Sequence, residues 1–198
     1  MRHVFLINPH AGKQDQTARI RALADRLAAA HNLDCRCLLT DRPGGAEVLS
    51  RALAETGELV RIYACGGDGT VHEAANGIAG FPNAAMTVIP AGTGNDFLKN
   101  FGPDAAKFSD PEHLWDGPEF PLDLIDCNGR LCLTIACSGI DARIADTVHR
   151  YGNVPGLSGR GSYLLSVAVN FLFKPIGRRW RVEPVSYTHL TLPTILRV

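Results

Sequence analysis

A chain of 198 residues, 45% hydrophobic and 20% charged, has the composition of a globular protein large enough to bury a sizeable core. Lys+Arg and Asp+Glu both total 20, a balance that excludes the basic field of a nucleic-acid binder. The 6 cysteines include no Cys-x-x-Cys pair and several sit in apolar runs, as free thiols do in a reducing compartment; no apolar run is long enough for a membrane span or a signal peptide, so the chain reads as cytoplasmic. In chain order, Val4 to Ile7 is a short buried-strand pattern, and Asn8-Pro9-His10-Ala11-Gly12-Lys13 comes next as a loop. Thr17 to Ala30 predicts an amphipathic helix with Ile20, Leu23, Ala24 and Leu27 on one face. Cys35 to Thr40 predicts a second strand. Pro43-Gly44-Gly45 then breaks the chain, and Ala46 to Glu55 gives a second helix with Val48, Leu49, Ala52 and Leu53 inward. Arg61 to Cys65 is a third strand, stopped by Gly66-Gly67-Asp68-Gly69, after which a helical pattern starts at Thr70 and carries Val71, Ala74, Ala75 and Ile78. Met86 to Ile89 is a fourth strand, closed by Pro90 to Asp96 and a short helix through Phe101. Strict alternation of strand and helix predicts a parallel sheet covered by helices. The loops 8–13, 66–70 and 90–96 all leave the carboxyl ends of strands, where ligands of open α/β sheets bind, so they are expected to converge.

Gly102-Pro103, Asp110-Pro111, Gly117-Pro118 and Pro121 punctuate a loop-like connection to a second unit. There, Leu122 to Cys127 and Arg130 to Ala136 flank Asn128-Gly129, the pattern of an antiparallel hairpin. Helices are expected over Asp141 to Tyr151 and over Tyr163 to Phe173, the latter packing a core in preference to lining a lipid cavity, and a strand over Arg179 to Val182. From Pro184 the sequence resembles the translation of a transposase adapter used in DNA library preparation, so 184–198 reads as a non-native tail. The expected organisation is an α/β fold: a Rossmann-like parallel sheet with helices on both faces over 1–117, then the start of a mainly antiparallel, β-rich second domain over 118–183.

The Gly66–Gly69 turn carries the chemistry. Three glycines around one aspartate let the backbone approach another molecule closely. The helix after it directs its free N–H groups into the turn, which suits phosphate. Asp68 adds a carboxylate able to hold Mg²⁺ or to take a proton. A purely structural strand-to-helix turn is the competing reading.

Three motifs, NPHAGK at 8–13, GGDGTVHEAANG at 66–77 and PAGTGNDF at 90–97, resemble the diacylglycerol-kinase catalytic-domain family of bacterial lipid kinases, to which sphingosine and ceramide kinases are related. The resemblance runs from residue 4 to about 183; the GGDG turn alone is shared with NAD kinases and phosphofructokinases, whereas Asn8-Pro9 with Ala11-Gly12 and Gly92 to Phe97 favour the lipid-kinase branch. It implies transfer of the γ-phosphoryl group of ATP, with Mg²⁺, to a lipid hydroxyl, diacylglycerol first among the acceptors, by a protein held peripherally at the inner face of the membrane. It leaves a homodimer open and gives nucleic acid no part.

The implied nucleotide site comprises Asn8, Pro9, His10, Ala11, Gly12, Lys13, Thr40, Gly66, Gly67, Asp68, Gly69, Thr70, Val71, His72, Glu73, Gly92, Thr93, Asn95 and Asp96, with Asp68 as catalytic residue and metal ligand. Several have plainer readings: Lys13 as a solvated loop lysine, Thr40 as a strand-end cap, Glu73 as a first-turn carboxylate, Asp96 and Asp141 as helix N-caps. Arg178 to Arg181 reads equally as a headgroup contact or an exposed basic strand. In bacterial lipid kinases the general base is usually an aspartate in an Asp-Gly-x-Glu-like segment late in the second domain, and none occurs between 102 and 183. In the sphingosine-kinase branch the GGDG aspartate takes that role, which would fall to Asp68. The chain is therefore expected to bind nucleotide better than it turns over.

Overall fold

The structure is a computed structural model that describes residues 1–137, 139–151, 159–173 and 196–197. Arg2–Ile7 (β1), Cys35–Leu39 (β2), Val60–Gly66 (β3) and Ala84–Pro90 (β4) form a parallel sheet in the order β2-β1-β3-β4. Strand residues alternate between two faces, and each face has its own cover. Phe5, Ile7, Tyr63, Cys65 and Ile89 pack against Ile20, Ala24 and Leu27 of Thr17–His31 (α1). Val4, Leu6, Ile62, Ala64, Met86 and Val88 pack against Gly45–Glu55 (α2) and Asp68–Ile78 (α3). Both faces being buried explains why the strands read as continuous apolar runs.

The helical phase of α2 differs from the expectation. Val48 is 59% exposed and Ala52 is also exposed, while Ala46, Ser50 and Ala54 are buried with Leu49 and Leu53 beside them. Ser50 sits inward because its hydroxyl reaches the Ala74 carbonyl at 3.2 Å, where Gly77 allows the close approach of α2 to α3. Beyond β4 the chain is not the irregular connection expected from its prolines. Asp96–Ser109 is a 3₁₀ segment, broken at Gly102 (φ 53°, ψ −126°), and Pro111–His113 makes another short turn of it. Its Phe97, Leu98 and Phe108 complete the α3-side core.

Arg61, buried in β3, anchors a segment far along the chain. Its guanidinium donates to the carbonyls of Leu114 (2.7 Å), Trp115 (2.5 Å) and Gly117 (3.0 Å) and pairs with Glu119 (3.2 Å). One buried cation with four acceptors thereby holds the 114–119 segment against the sheet, which satisfies the charge that burial would otherwise penalise. The same cation acts on His3, whose Nδ1 lies 2.9 Å from the Tyr63 hydroxyl. Burial first, and Arg61 second, lower the His3 pKa from 6.5 to about 4. Between those values the unfolded chain takes up a proton that the folded chain refuses. Stability is thus full above pH 6.5 and declines as the pH falls towards about 4, by at most about 3 kcal/mol. Urea unfolding at about pH 7 and about pH 5 measures this, and His3→Gln should flatten the difference.

Ile125–Cys127 (β6) and Arg130–Cys132 (β7) form the expected hairpin, with Asn128 (φ 55°) and Gly129 (φ 81°) in left-handed turn positions; Pro121–Leu122 (β5) precedes it. Leu196–Arg197 (β8), inside the stretch read as a tail, bridges β4 and β5. The hairpin is fastened to α3 by Asn76, whose side chain accepts from the Leu131 amide (3.0 Å) and donates to the Leu131 carbonyl (2.8 Å). Asn76→Ala should cost about 1–3 kcal/mol, because both backbone groups lose their partner. Faster hydrogen exchange at the Leu131 amide would register the release.

Met1–Thr134 form one compact unit, and the described residues from Ile135 to Phe173 lie in a second. In the latter, Ile140–Tyr151 (α4) and Gly159–Phe173 (α5) are helical as expected. The apolar face of α5 does not pack a core: Tyr163, Leu164, Phe171 and Leu172 are exposed, and Ser166 and Asn170 are buried. The reason is a polar seam. The Thr147 and Ser166 hydroxyls meet at 2.5 Å, and the Asn170 amide donates to Thr147 at 2.8 Å, so the hydrogen bonds face inward. The strand expected over Arg179 to Val182 and the side chain of Asp141 lie outside the described residues.

Candidate functional site

The loops leaving β1, β3 and β4 meet. Asn8 donates from Nδ2 to Thr70 Oγ1 (3.1 Å) and from its backbone amide to the Cys65 carbonyl (3.0 Å), while its Oδ1 accepts from the His10 amide (3.0 Å). The Gly66 carbonyl accepts from the amides of Ala91 (3.0 Å) and Gly92 (3.1 Å), and Gly12 packs against the Ala91 carbonyl. Gly92 lies so close to the Gly67 backbone that a Cβ there would overlap it.

The helix begins two residues earlier than its apolar pattern suggests. Gly67 is the extended N-cap and α3 starts at Asp68. With the Gly66 carbonyl committed to the 90–96 loop, the amides of Asp68, Gly69 and Thr70 have no backbone acceptor among the described residues. Of these, Gly69 and Thr70 line a cavity of about 440 Å³ at the positive end of the helix dipole, together with Asn8, His10, Thr40, Asp41, Arg42, Pro43 and Glu73. A smaller, mostly apolar cavity of about 170 Å³ lies between Met86, Phe101, Phe108, Leu114 and Phe120.

Gly69 is the open glycine of the turn. It sits in the first turn of α3, and beyond its chain neighbours and its own helix backbone no protein atom lies within 4 Å of where a Cβ would be. Glycine there weakens the helix by roughly 0.5–1 kcal/mol relative to alanine, and nothing in the fold requires the missing side chain. Other glycines of the motif are structural: a Cβ on Gly66 would strike the Thr70 side chain, and one on Gly94 the Asp68 carboxylate.

Asp68 is exposed on that first turn, and its Oδ1 accepts from the Asp96 amide at 2.6 Å. Asp96 pairs with Lys99 at 2.5 Å. Asn95, left-handed at φ 55°, donates to the Gly92 carbonyl (3.0 Å), and its buried Oδ1 has no hydrogen-bond partner. Among the described residues no three His, Cys, Asp or Glu side chains form a metal cage. A lone carboxylate beside free amides nevertheless suits Mg²⁺, which keeps waters and substrate phosphates as ligands.

The remaining residues of the motifs divide between the cavity wall, the core and the surface. Glu73 spends both oxygens on the N-terminus of α2, accepting from the amides of Gly44 (2.8 Å) and Ala46 (3.2 Å), so it shapes the cavity wall. Thr40 is buried at the end of β2, its amide bonded to the Ile7 carbonyl at 2.9 Å. Val71 turns into the core. His72 accepts from Arg130 at 3.2 Å, and burial together with Arg130 keeps it below its ordinary pKa. Ala11 is buried, Pro9 half-buried, and Lys13 and Thr93 are exposed. Asp41 and Arg42 line the cavity although the motifs do not include them; their position directly after Thr40 was the available signal.

The family model described as "Diacylglycerol kinase catalytic domain" matches residues 2–127. A Pseudomonas aeruginosa protein named "Probable lipid kinase YegS-like" is 32% identical over 167 residues, covering 81% of this chain and 52% of that protein. The Bacillus subtilis protein named "Diacylglycerol kinase" is 39% identical over 82 residues, 39% of this chain and 26% of its own length. The crystal structure of a diacylglycerol kinase from Bacillus anthracis superposes with a TM-score of 0.52 at 29% identity, covering 66% of this chain and 48% of that one. The chain thus spans about half the length of the relatives it matches most fully.

Proposed function

The chain belongs to the diacylglycerol kinase catalytic domain family, and from that premise we propose that it is the nucleotide-binding part of an ATP-dependent lipid kinase that phosphorylates diacylglycerol. The observation that carries this reading is the cavity edge formed by Gly69 and Thr70, whose amides have no backbone acceptor among the described residues and where Gly69 brings no side chain. Phosphoryl transfer needs positioning and charge neutralisation more than covalent chemistry, and free backbone donors supply both without reorganising. The amides of Asp68, Gly69 and Thr70 hold phosphate oxygens, and the Asn8–Thr70 hydrogen bond fixes the cradle. Asp68, steadied by the Asp96 amide, holds Mg²⁺ or takes the acceptor proton. When bound, Mg²⁺ neutralises charge on the transferring phosphate. Among the described residues no helix is long and apolar enough to cross a membrane; the lipid-kinase reading has the acceptor met at a lipid surface.

Transfer of labelled γ-phosphate from ATP to diacylglycerol in mixed micelles tests the proposal, on this chain and on one extended to the length of its relatives. Labelled phosphatidic acid from either supports it. Label on NAD and on no lipid moves the protein to the small-molecule branch, and tight ATP–Mg²⁺ binding with no product from any acceptor makes it a binding module.

A further inference from the structure

Cys127 and Cys132 are separated in the sequence by the hairpin turn, and the strand register brings them together. Cys127 pairs with Arg130 and Ile125 with Cys132, so both thiols project from one face of β6–β7 as diagonal neighbours. The two thiols act on each other's titration, with Cys127 exposed and Cys132 half-exposed. The backbone beneath them is held from outside the hairpin: Asn76 clamps Leu131, and Arg130 reaches Glu47 (2.6 Å) and His72 (3.2 Å). Two accessible sulfurs on an anchored scaffold are arranged to react with one another. The contrast with Cys65, wholly buried in β3, and with Cys35, whose pKa burial raises to about 11, is plain.

We propose that Cys127 and Cys132 form a reversible disulfide across the hairpin, made by exchange with a low-molecular-weight disulfide such as glutathione disulfide. The Cys127 thiolate attacks one sulfur of that disulfide and expels a glutathione thiolate, leaving a mixed disulfide. The Cys132 thiolate then attacks Cys127 Sγ and expels the second glutathione. Two protein thiols are oxidised, one glutathione disulfide is reduced to two glutathiones, and the two thiol protons pass to the leaving thiolates. Cys127 is the more exposed of the two thiols, which assigns it first attack and leaves resolution to Cys132. The bridge joins the two strands without using the Leu131 backbone groups that Asn76 holds. In a reducing compartment such a pair is transient and reports on the thiol pool. This inference does not depend on the kinase reading.

The test is incubation of the 198-residue chain with glutathione disulfide, alkylation of remaining thiols and peptide mass mapping. The expected product is a peptide joined through Cys127 and Cys132, with the bridge opened again by excess glutathione. Cys132→Ser should stop at glutathione on Cys127, and Cys127→Ser should yield no bridge. Slower hydrogen exchange at the Leu131 amide in the oxidised protein would show that the bridge fits the docked hairpin. Alkylation of Cys127 and Cys132 under conditions that modify the exposed Cys137, pairing of either with another cysteine or a second chain, or faster exchange at Leu131 on oxidation would each overturn the proposal.

Discussion

Asp68→Asn is expected to lower phosphoryl transfer by about a thousandfold while leaving the thermal midpoint within about a degree of wild type. The substitution keeps an oxygen where Asp68 Oδ1 accepts the Asp96 amide, so the contact between α3 and the 90–96 loop survives. The negative charge is lost. A neutral amide neither takes a proton nor competes well for Mg²⁺, and both are tasks proposed for this side chain. Asp68→Ala would be a poorer experiment, since it also frees the Asp96 amide and the loop with it. Labelled transfer beside calorimetry separates the two effects. Wild-type turnover in the asparagine variant would remove Asp68 from the chemistry.

Gly69→Ala should give the opposite pairing from an ordinary glycine substitution: a protein as stable as wild type, or more so by up to about 1 kcal/mol, with ATP affinity down by at least about tenfold. The helix gains a better former, and the new methyl meets no atom within 4 Å beyond its chain neighbours and its own helix backbone. It does meet the space into which the free amides of α3 point. Gly92→Ala is the control. Its Cβ would overlap the Gly67 backbone, so the cost, roughly 1–3 kcal/mol for overpacking, falls on stability as well as on binding. Calorimetric titration of ATP–Mg²⁺ into both variants distinguishes them. Unchanged affinity in Gly69→Ala would make the turn a structural one.

The sheet is legible in the sequence because its strands are buried on both faces: runs such as Val4 to Ile7 leave no other reading. The meeting of the three loops comes from the same fact, since parallel strands deliver their carboxyl ends to one edge. Residues whose partners lie far along the chain are not legible. Glu73 reads locally as a first-turn carboxylate, yet its oxygens cap a helix that begins 28 positions earlier, at Gly45. Asn76 carries no local signal of its role, and its partner is a strand residue, Leu131. The phase of α2 misleads because Val48 is more apolar than Ser50, while the hydroxyl, with its acceptor across the helix crossing, is the group that belongs inside. The 3₁₀ segment is hidden by Gly102-Pro103, which suggests an ending where the chain only kinks.

The seam between α4 and α5 also fixes how that pair aligns. Two helices joined by leucines can slip by one turn, roughly 5.4 Å, and exchange one set of apolar neighbours for another at little cost. Thr147, Ser166 and Asn170 allow no such slip, because sliding by a turn would strand hydroxyl and amide groups in the interior at about 1–3 kcal/mol each. The pair therefore behaves as a ratchet with a single tooth engaged. Leu164, Phe171 and Leu172 keep one azimuth relative to α4, set by hydrogen bonds from another side of their own helix.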